Sequence, residues 1–183
     1  STLFILLGLL GYLRILPIQR MADITKVMLA GVTLGVFGVL AFLCKENGIL
    51  IFAYAVVLNV TVLRELLARY ASPARTLLLV GTALPMIALG IGALFNADAI
   101  VSVYRIRDFS LGERLLTESR ILVEYLRIIA LPRVSGEGVF HDDYPVSRGL
   151  LDPPSTLLAI LAILALLISA FKLRRRAPVY AFA

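Results

Sequence analysis

One stretch of the chain sets its single histidine beside carboxylates: Phe140-His141-Asp142-Asp143-Tyr144. Adjacent carboxylates are the oxygen donors that divalent cations take, so a divalent metal is a candidate cofactor. Neighbouring side chains on an extended chain point to opposite faces, and there is no second histidine to complete a zinc site. A solvated loop with capping aspartates is the plain alternative, and no metal site is assigned. A second candidate is the pair Lys45 and Glu46 within Cys44-Lys45-Glu46-Asn47-Gly48. Asn-Gly is turn chemistry. Fixed in so short a turn at a membrane surface, Lys45 suits a lipid phosphate and Glu46 a sugar or metal; otherwise both side chains simply stand in water. A third is a series of arginines, Arg105, Arg107, Arg114, Arg120, Arg127 and Arg133. Guanidinium binds phosphate in a bidentate manner, which points to a phosphate or pyrophosphate headgroup. The alternative is ion pairing with the nine acids of the same segment.

The elements that must carry these groups are read from hydropathy. The 183 residues are 60% hydrophobic and 16% charged, against about 45–50% and about 25% for soluble domains. A soluble protein of this size has nowhere to put so much apolar surface. The net charge of +6 does not indicate nucleic acid, because the basic residues sit at the ends of apolar runs, where membrane proteins place them. Cys44 is the only cysteine, which excludes an internal disulfide and a cysteine metal site. No Walker loop, dinucleotide fingerprint, GxSxG elbow or HExxH occurs.

Five apolar runs follow: 1–16, 27–43, 48–63 (with Leu66 and Leu67 extending its apolar face), 76–95 and 155–171. A bilayer is crossed by about 17–25 residues, and in hydrocarbon such runs must be helices. The expected fold is an all-α, polytopic transmembrane bundle of about five spans. Residues 1–95 hold four, 96–154 form a long loop, and 155–183 hold the fifth span, a basic loop and the start of a further run. Both ends read as cut from a longer protein. Gly31, Gly35 and Gly38 read as a helix-packing stripe on the second span, and Pro85 as a kink in the fourth. Asn59-Val60-Thr61 matches a glycosylation sequon but lies inside a span and is set aside.

Orientation follows from charge. Arg14, Arg20 and Lys26, then Arg64, Arg69 and Arg75, then Lys172, Arg174, Arg175 and Arg176 fall on one side of alternating spans and hold ten of the 18 basic residues. The short loop 44–47 on the other side holds Lys45 alone. The positive-inside rule makes the rich side cytoplasmic and puts 96–154 outside. Within that loop Ser110 and Glu113 have capping-box spacing, and Leu111, Leu115, Leu122, Leu126 and Ile129 recur with helical period. An amphipathic helix of about five turns near 110–131 is expected, ended by Pro132. It lies in the outer interface or caps a cavity between the spans. Arg114 and Glu118, four apart, can pair.

Two segments carry a family resemblance. One is Lys45-Glu46-Asn47-Gly48 after a glycine-rich span. The other is Glu113 to Arg120 with Tyr125-Leu126, Leu131-Pro132, then His141 to Tyr144 and Leu150 to Pro153. In this order they resemble bacterial polytopic proteins related to the transmembrane-and-tetratricopeptide-repeat O-mannosyltransferases, which are similar to membrane glycosyltransferases of the C-type fold. The resemblance spans roughly Val27 to Phe171. It implies a bacterial inner-membrane enzyme that moves a sugar from a polyprenyl-phosphate donor to a protein or glycan acceptor at the outer face. A carboxylate would deprotonate the acceptor hydroxyl, and cationic groups would neutralise the leaving lipid phosphate. Lys45, Glu46, Arg105, Arg114, Arg120 and Arg127 become candidate contacts for donor phosphate or sugar. The family's catalytic acid is expected upstream of Ser1, so no catalytic residue is assigned.

Three other functions fit the residues. A lipid-linked-substrate transporter or flippase would put charges near mid-span, and these runs are almost free of charge away from their ends. A non-catalytic membrane subunit would use the outer loop for docking. A glycan polymerase or ligase would share the donor chemistry and differ in substrate size.

Overall fold

The structure, a computed structural model, describes residues 1–104, 107–131 and 144–182. Every regular element among them is helical: α1 (Thr2–Ile15), α2 (Asp23–Cys44), a 3-10 turn (Glu46–Ile49), α3 (Leu50–Val60), α4 (Arg64–Ala68), α5 (Ser72–Phe95), α6 (Ala97–Val103), α7 (Leu111–Ala130), α8 (Ser155–Leu173) and α9 (Pro178–Phe182). Three are long and apolar enough to cross a membrane: α2, α5 and α8, of 22, 24 and 19 residues. At about 1.5 Å per residue α2 and α5 exceed the ~30 Å of a hydrocarbon core, and α8 falls just short of it, within the range of spanning helices. Helix α1 and the stretch Glu46–Val60 are apolar but shorter. Large apolar side chains such as Val36 and Val39 on α2, Leu84 and Ile87 on α5, and Leu158 and Leu167 on α8 are exposed. Apolar surface of that extent suits a lipid solvent rather than water.

The chain divides into two units, Ser1–Phe95 with Leu173–Ala183, and Asn96–Lys172. The first packs around Tyr12, Leu34, Ile51, Leu58, Leu67 and Leu78. Close contact between α1 and its neighbours depends on glycine. A Cβ on Gly8 would come within 2.6 Å of Ile51 and 2.8 Å of Phe37, and one on Gly11 within 2.8 Å of Thr33. The expected glycine stripe on α2 is therefore corrected. Only Gly38 packs closely, against Ile51 and Phe52, while Gly31 and Gly35 have open space before them. Gly31 instead lines an apolar hollow of about 340 Å³ with Val27, Phe52, Leu77 and Gly81.

The third apolar run is not one helix. Helix α3 stops at Val60, where Thr61 takes φ −112° and ψ −86°. The Thr61 hydroxyl donates to the Val57 carbonyl at 2.6 Å, and the Leu63 N–H donates to the Leu58 carbonyl at 2.8 Å. The β-branched Val60-Thr61-Val62 step bends the chain while those bonds keep the freed carbonyls satisfied. Leu63, just before the separate short helix α4, and Leu67 within it still reach the core. Helix α5 starts earlier than its apolar run and continues through Pro85.

In the second unit α7 begins with the expected capping box. The Glu113 N–H donates to Ser110 Oγ at 3.2 Å, and the Ser110 N–H donates to Glu113 Oε2 at 2.7 Å. That backbone N–H, and then the Ser110 hydroxyl at 2.9 Å, hold the Glu113 carboxyl below its usual range. Helix α8 starts at Ser155 with the Pro154 carbonyl accepting from the Leu158 N–H. Pro132 lies outside the described residues.

Candidate functional site

Residues Arg105, His141, Asp142 and Asp143, with Arg133, lie outside the described residues. Lys45 and Glu46 belong to the first unit. Lys45 takes extended backbone between α2 and the 3-10 turn, and both side chains are exposed with no described ion pair. What holds this turn is Gly48. A Cβ there would lie 2.2 Å from the Ala41 carbonyl carbon and the Phe42 nitrogen, so only glycine lets the chain fold back against α2.

The loop arginines separate. Arg114 pairs with Glu118, and Arg127 with Glu124, along α7 itself. Arg107 sits over the rings of Tyr104 and Phe109. Arg120 reaches out of α7. It donates to the Pro145 carbonyl at 2.9 Å and to Ser147 Oγ at 3.2 Å, and lies 4.7 Å from the Tyr144 ring. Its Nε is buried without a partner among the described residues. Around it the Ser147 N–H donates to Thr117 Oγ1 at 2.9 Å, and the Thr156 hydroxyl donates to Ser147 Oγ at 3.0 Å. Ser147 and Thr156 are fully buried. These bonds dock the segment 144–156 on α7.

The docking leaves a cleft of about 340 Å³ within the second unit, lined by Arg120, Val123, Glu124, Tyr144, Ser155, Leu158, Ala159 and Ala162. Its polar groups come from α7 and its approach. Its apolar wall is the first turns of α8, one of the helices able to cross a membrane. The cleft thus joins a polar end to an apolar wall. Among the described residues no three of His, Cys, Asp and Glu gather into a metal-holding group.

Two polar clusters of the first unit escaped the sequence reading. The Tyr12 hydroxyl donates to Asn59 Oδ1 at 2.6 Å, Asn59 Nδ2 donates to Thr82 Oγ1 at 3.2 Å, and Thr82 donates in turn to the Leu78 carbonyl at 2.9 Å. This chain links α1, α3 and α5 through a buried interior. Polar side chains inside apolar runs were its signal, and for Asn59 the sequon drew the attention instead. In the other, Lys26 pairs with Asp23 at 2.9 Å and lies 4.8 Å from the Tyr70 ring. Asp23 also accepts from the Ala71 N–H at 3.0 Å, and the Tyr70 hydroxyl donates to the Leu16 carbonyl. Burial, and then the charge of Asp23, push the Tyr70 phenol up. Lys26, one of the basic residues that orient the chain by the positive-inside rule, is buried and ion-paired.

No protein-family model, curated protein or solved structure matches the chain.

Proposed function

We propose that the chain is the membrane part of a glycosyltransferase that moves a sugar from a polyprenyl-phosphate-linked donor to a protein or glycan acceptor. In this reading the chain spans the bacterial inner membrane five times and presents residues 96–154 at the outer face. The observation that carries it is the cleft between α7 and α8, with Arg120, Glu124 and Tyr144 at its polar end and Leu158, Ala159 and Ala162 along its apolar wall. A polyprenyl-phosphate sugar has the same division between head and chain. Arg120 supplies fixed positive charge where the donor's phosphate would lie, and the order of motifs from Lys45 to Pro153 supports the family.

A second reading, a membrane subunit without a catalytic centre of its own, is favoured by the pairing of Arg114 with Glu118 and Arg127 with Glu124. Two of the candidate phosphate contacts are thereby engaged by neighbouring carboxylates. The test is the full chain in liposomes with a polyprenyl-phosphate hexose bearing a photoreactive group on the lipid and a label on the sugar. The transferase reading expects cross-links in α7 and the start of α8, weakened by Arg120→Ala, together with label transfer to protein or glycan. Cross-links without transfer would select the subunit. No cross-link in either helix would overturn the donor site.

A further inference from the structure

Helix α7 is turned the opposite way from an ordinary surface helix, which faces its apolar stripe to the core. The docked side of α7 is polar: Thr117 is buried and accepts from the Ser147 N–H, and Arg120 donates to the Pro145 carbonyl. Its leucines face away. Leu115, Leu122, Leu126 and Ile129 are all open, from 48% exposed at Leu126 to 77% at Ile129. At about 100° of turn per residue those four lie within about 60° of one another, and at least about 120° from Thr117 and Arg120. The surroundings of α7 show what meets this stripe. Arg120, Val123 and Glu124 line one cleft with Ser155, Leu158, Ala159 and Ala162 from the first turns of α8. Helix α8 is apolar and long enough to cross a membrane, so α7 lies beside the end of a candidate span, where hydrocarbon gives way to headgroups. Just ahead of α7 the Tyr104 and Phe109 rings meet edge to face at 6.1 Å, and Arg107 lies 6.0 and 5.8 Å over them. Tyrosine and arginine, each with an apolar body and a polar tip, gather at that depth.

We infer that α7 is a membrane-surface helix, lying in the plane of one leaflet with Leu115, Leu122, Leu126 and Ile129 among the upper acyl carbons. Helices of this kind join a strong apolar face to a charged one. The charges of α7 balance, Arg114, Arg120 and Arg127 against Glu113, Glu118 and Glu124. Apolar burial, rather than attraction to anionic lipid, therefore holds the helix in place. Arg114 and Glu118, paired at the rim of the stripe, stand in the headgroup layer. With its leucines in the leaflet, α7 does not close over a cavity among the spans, and the Arg120 cleft opens at headgroup depth. This surface does not depend on the transferase reading.

The experiment uses the full chain carrying Cys44→Ser, in nanodiscs of phosphatidylcholine with or without phosphatidylglycerol. One nitroxide at a time is placed on Leu115→Cys, Leu122→Cys, Leu126→Cys or Ile129→Cys, and on Arg127→Cys for the polar side. These side chains are exposed, so labelling leaves the Thr117–Ser147 and Arg120–Pro145 bonds in place. Collision with oxygen, which concentrates in lipid, is compared with collision with a water-soluble nickel chelate. The oxygen-to-nickel ratio should exceed one at all four stripe positions, at one shallow depth, and fall below one at position 127, in both lipid compositions. Nickel dominating at the stripe would leave it in water and overturn the proposal. Low collision with both reagents would mean that protein covers the stripe, from this chain or a second copy, and would overturn it equally. A depth that increases steadily from position 115 to 129 would make α7 a span, and an oxygen preference seen only with phosphatidylglycerol would refute apolar anchoring.

Discussion

Replacing Asn59 by leucine tests the buried Tyr12–Asn59–Thr82 chain that ties three helices together. Leucine is close to asparagine in size, so packing changes little and polarity changes most. Tyr12 is fully buried and Asn59 nearly so. The substitution leaves the Tyr12 hydroxyl without its 2.6 Å acceptor, which costs about 1–3 kcal/mol for a buried orphan. The 3.2 Å bond to Thr82 is also lost, worth about 0.6 kcal/mol within a membrane bundle. Thr82 keeps the Leu78 carbonyl as acceptor and is not orphaned. The expected net loss is about 2 kcal/mol. Tyr12→Phe alone should cost about 1–2 kcal/mol, because it strands the Asn59 carbonyl. Together the two changes remove both ends of the bond, and the double variant should lie within about 1 kcal/mol of the parent. The assay is reversible unfolding in mixed lipid–detergent micelles, followed by far-ultraviolet circular dichroism. Additive losses in the double variant would show that no such bond exists, and the account of how α1, α3 and α5 are joined would fail.

Gly48→Ala should destabilise the first unit by about 3 kcal/mol, since its Cβ meets backbone rather than a movable side chain. Gly35→Ala, with open space before it, should be neutral or raise helix stability by up to about 1 kcal/mol; both are read in the same unfolding assay. Arg120→Ala should free segment 144–156 from α7, seen as faster amide exchange at Ser147, whereas Arg114→Ala removes an exposed pair worth about 0.3–0.5 kcal/mol. The Glu113 carboxyl is held below its usual range in the folded state. Its contribution is therefore present above the unfolded carboxyl's range and lost as pH falls through the folded one. Amide protection at the start of α7, measured relative to the intrinsic exchange rate at each pH, should fall with acidification, and Glu113→Gln should abolish that fall; an unchanged profile would refute the role of the cap.

Some of this was legible along the chain because the forces are local. The length and hydropathy of α2, α5 and α8 follow from runs of consecutive residues. The capping box at Ser110 and the Arg114–Glu118 pair depend on spacings of three and four, which a helix turns directly into contact. What needed the tertiary structure was each feature whose partner is distant. Glycines at 31 and 35 have the spacing of a packing stripe, yet Gly8 and Gly11 are where helices meet, because helix rotation rather than periodicity chooses the buried face. Asn59 is a mismatched residue in an apolar run until Tyr12 and Thr82 are brought to it across 47 and 23 positions. Arg120 differs from Arg114 and Arg127 on α7 through its bonds to Pro145 and Ser147, which only the fold brings to it. Local spacing determines which helices form, whereas shape and unmet hydrogen bonds between distant segments decide which of their polar groups are structural and which line a cleft.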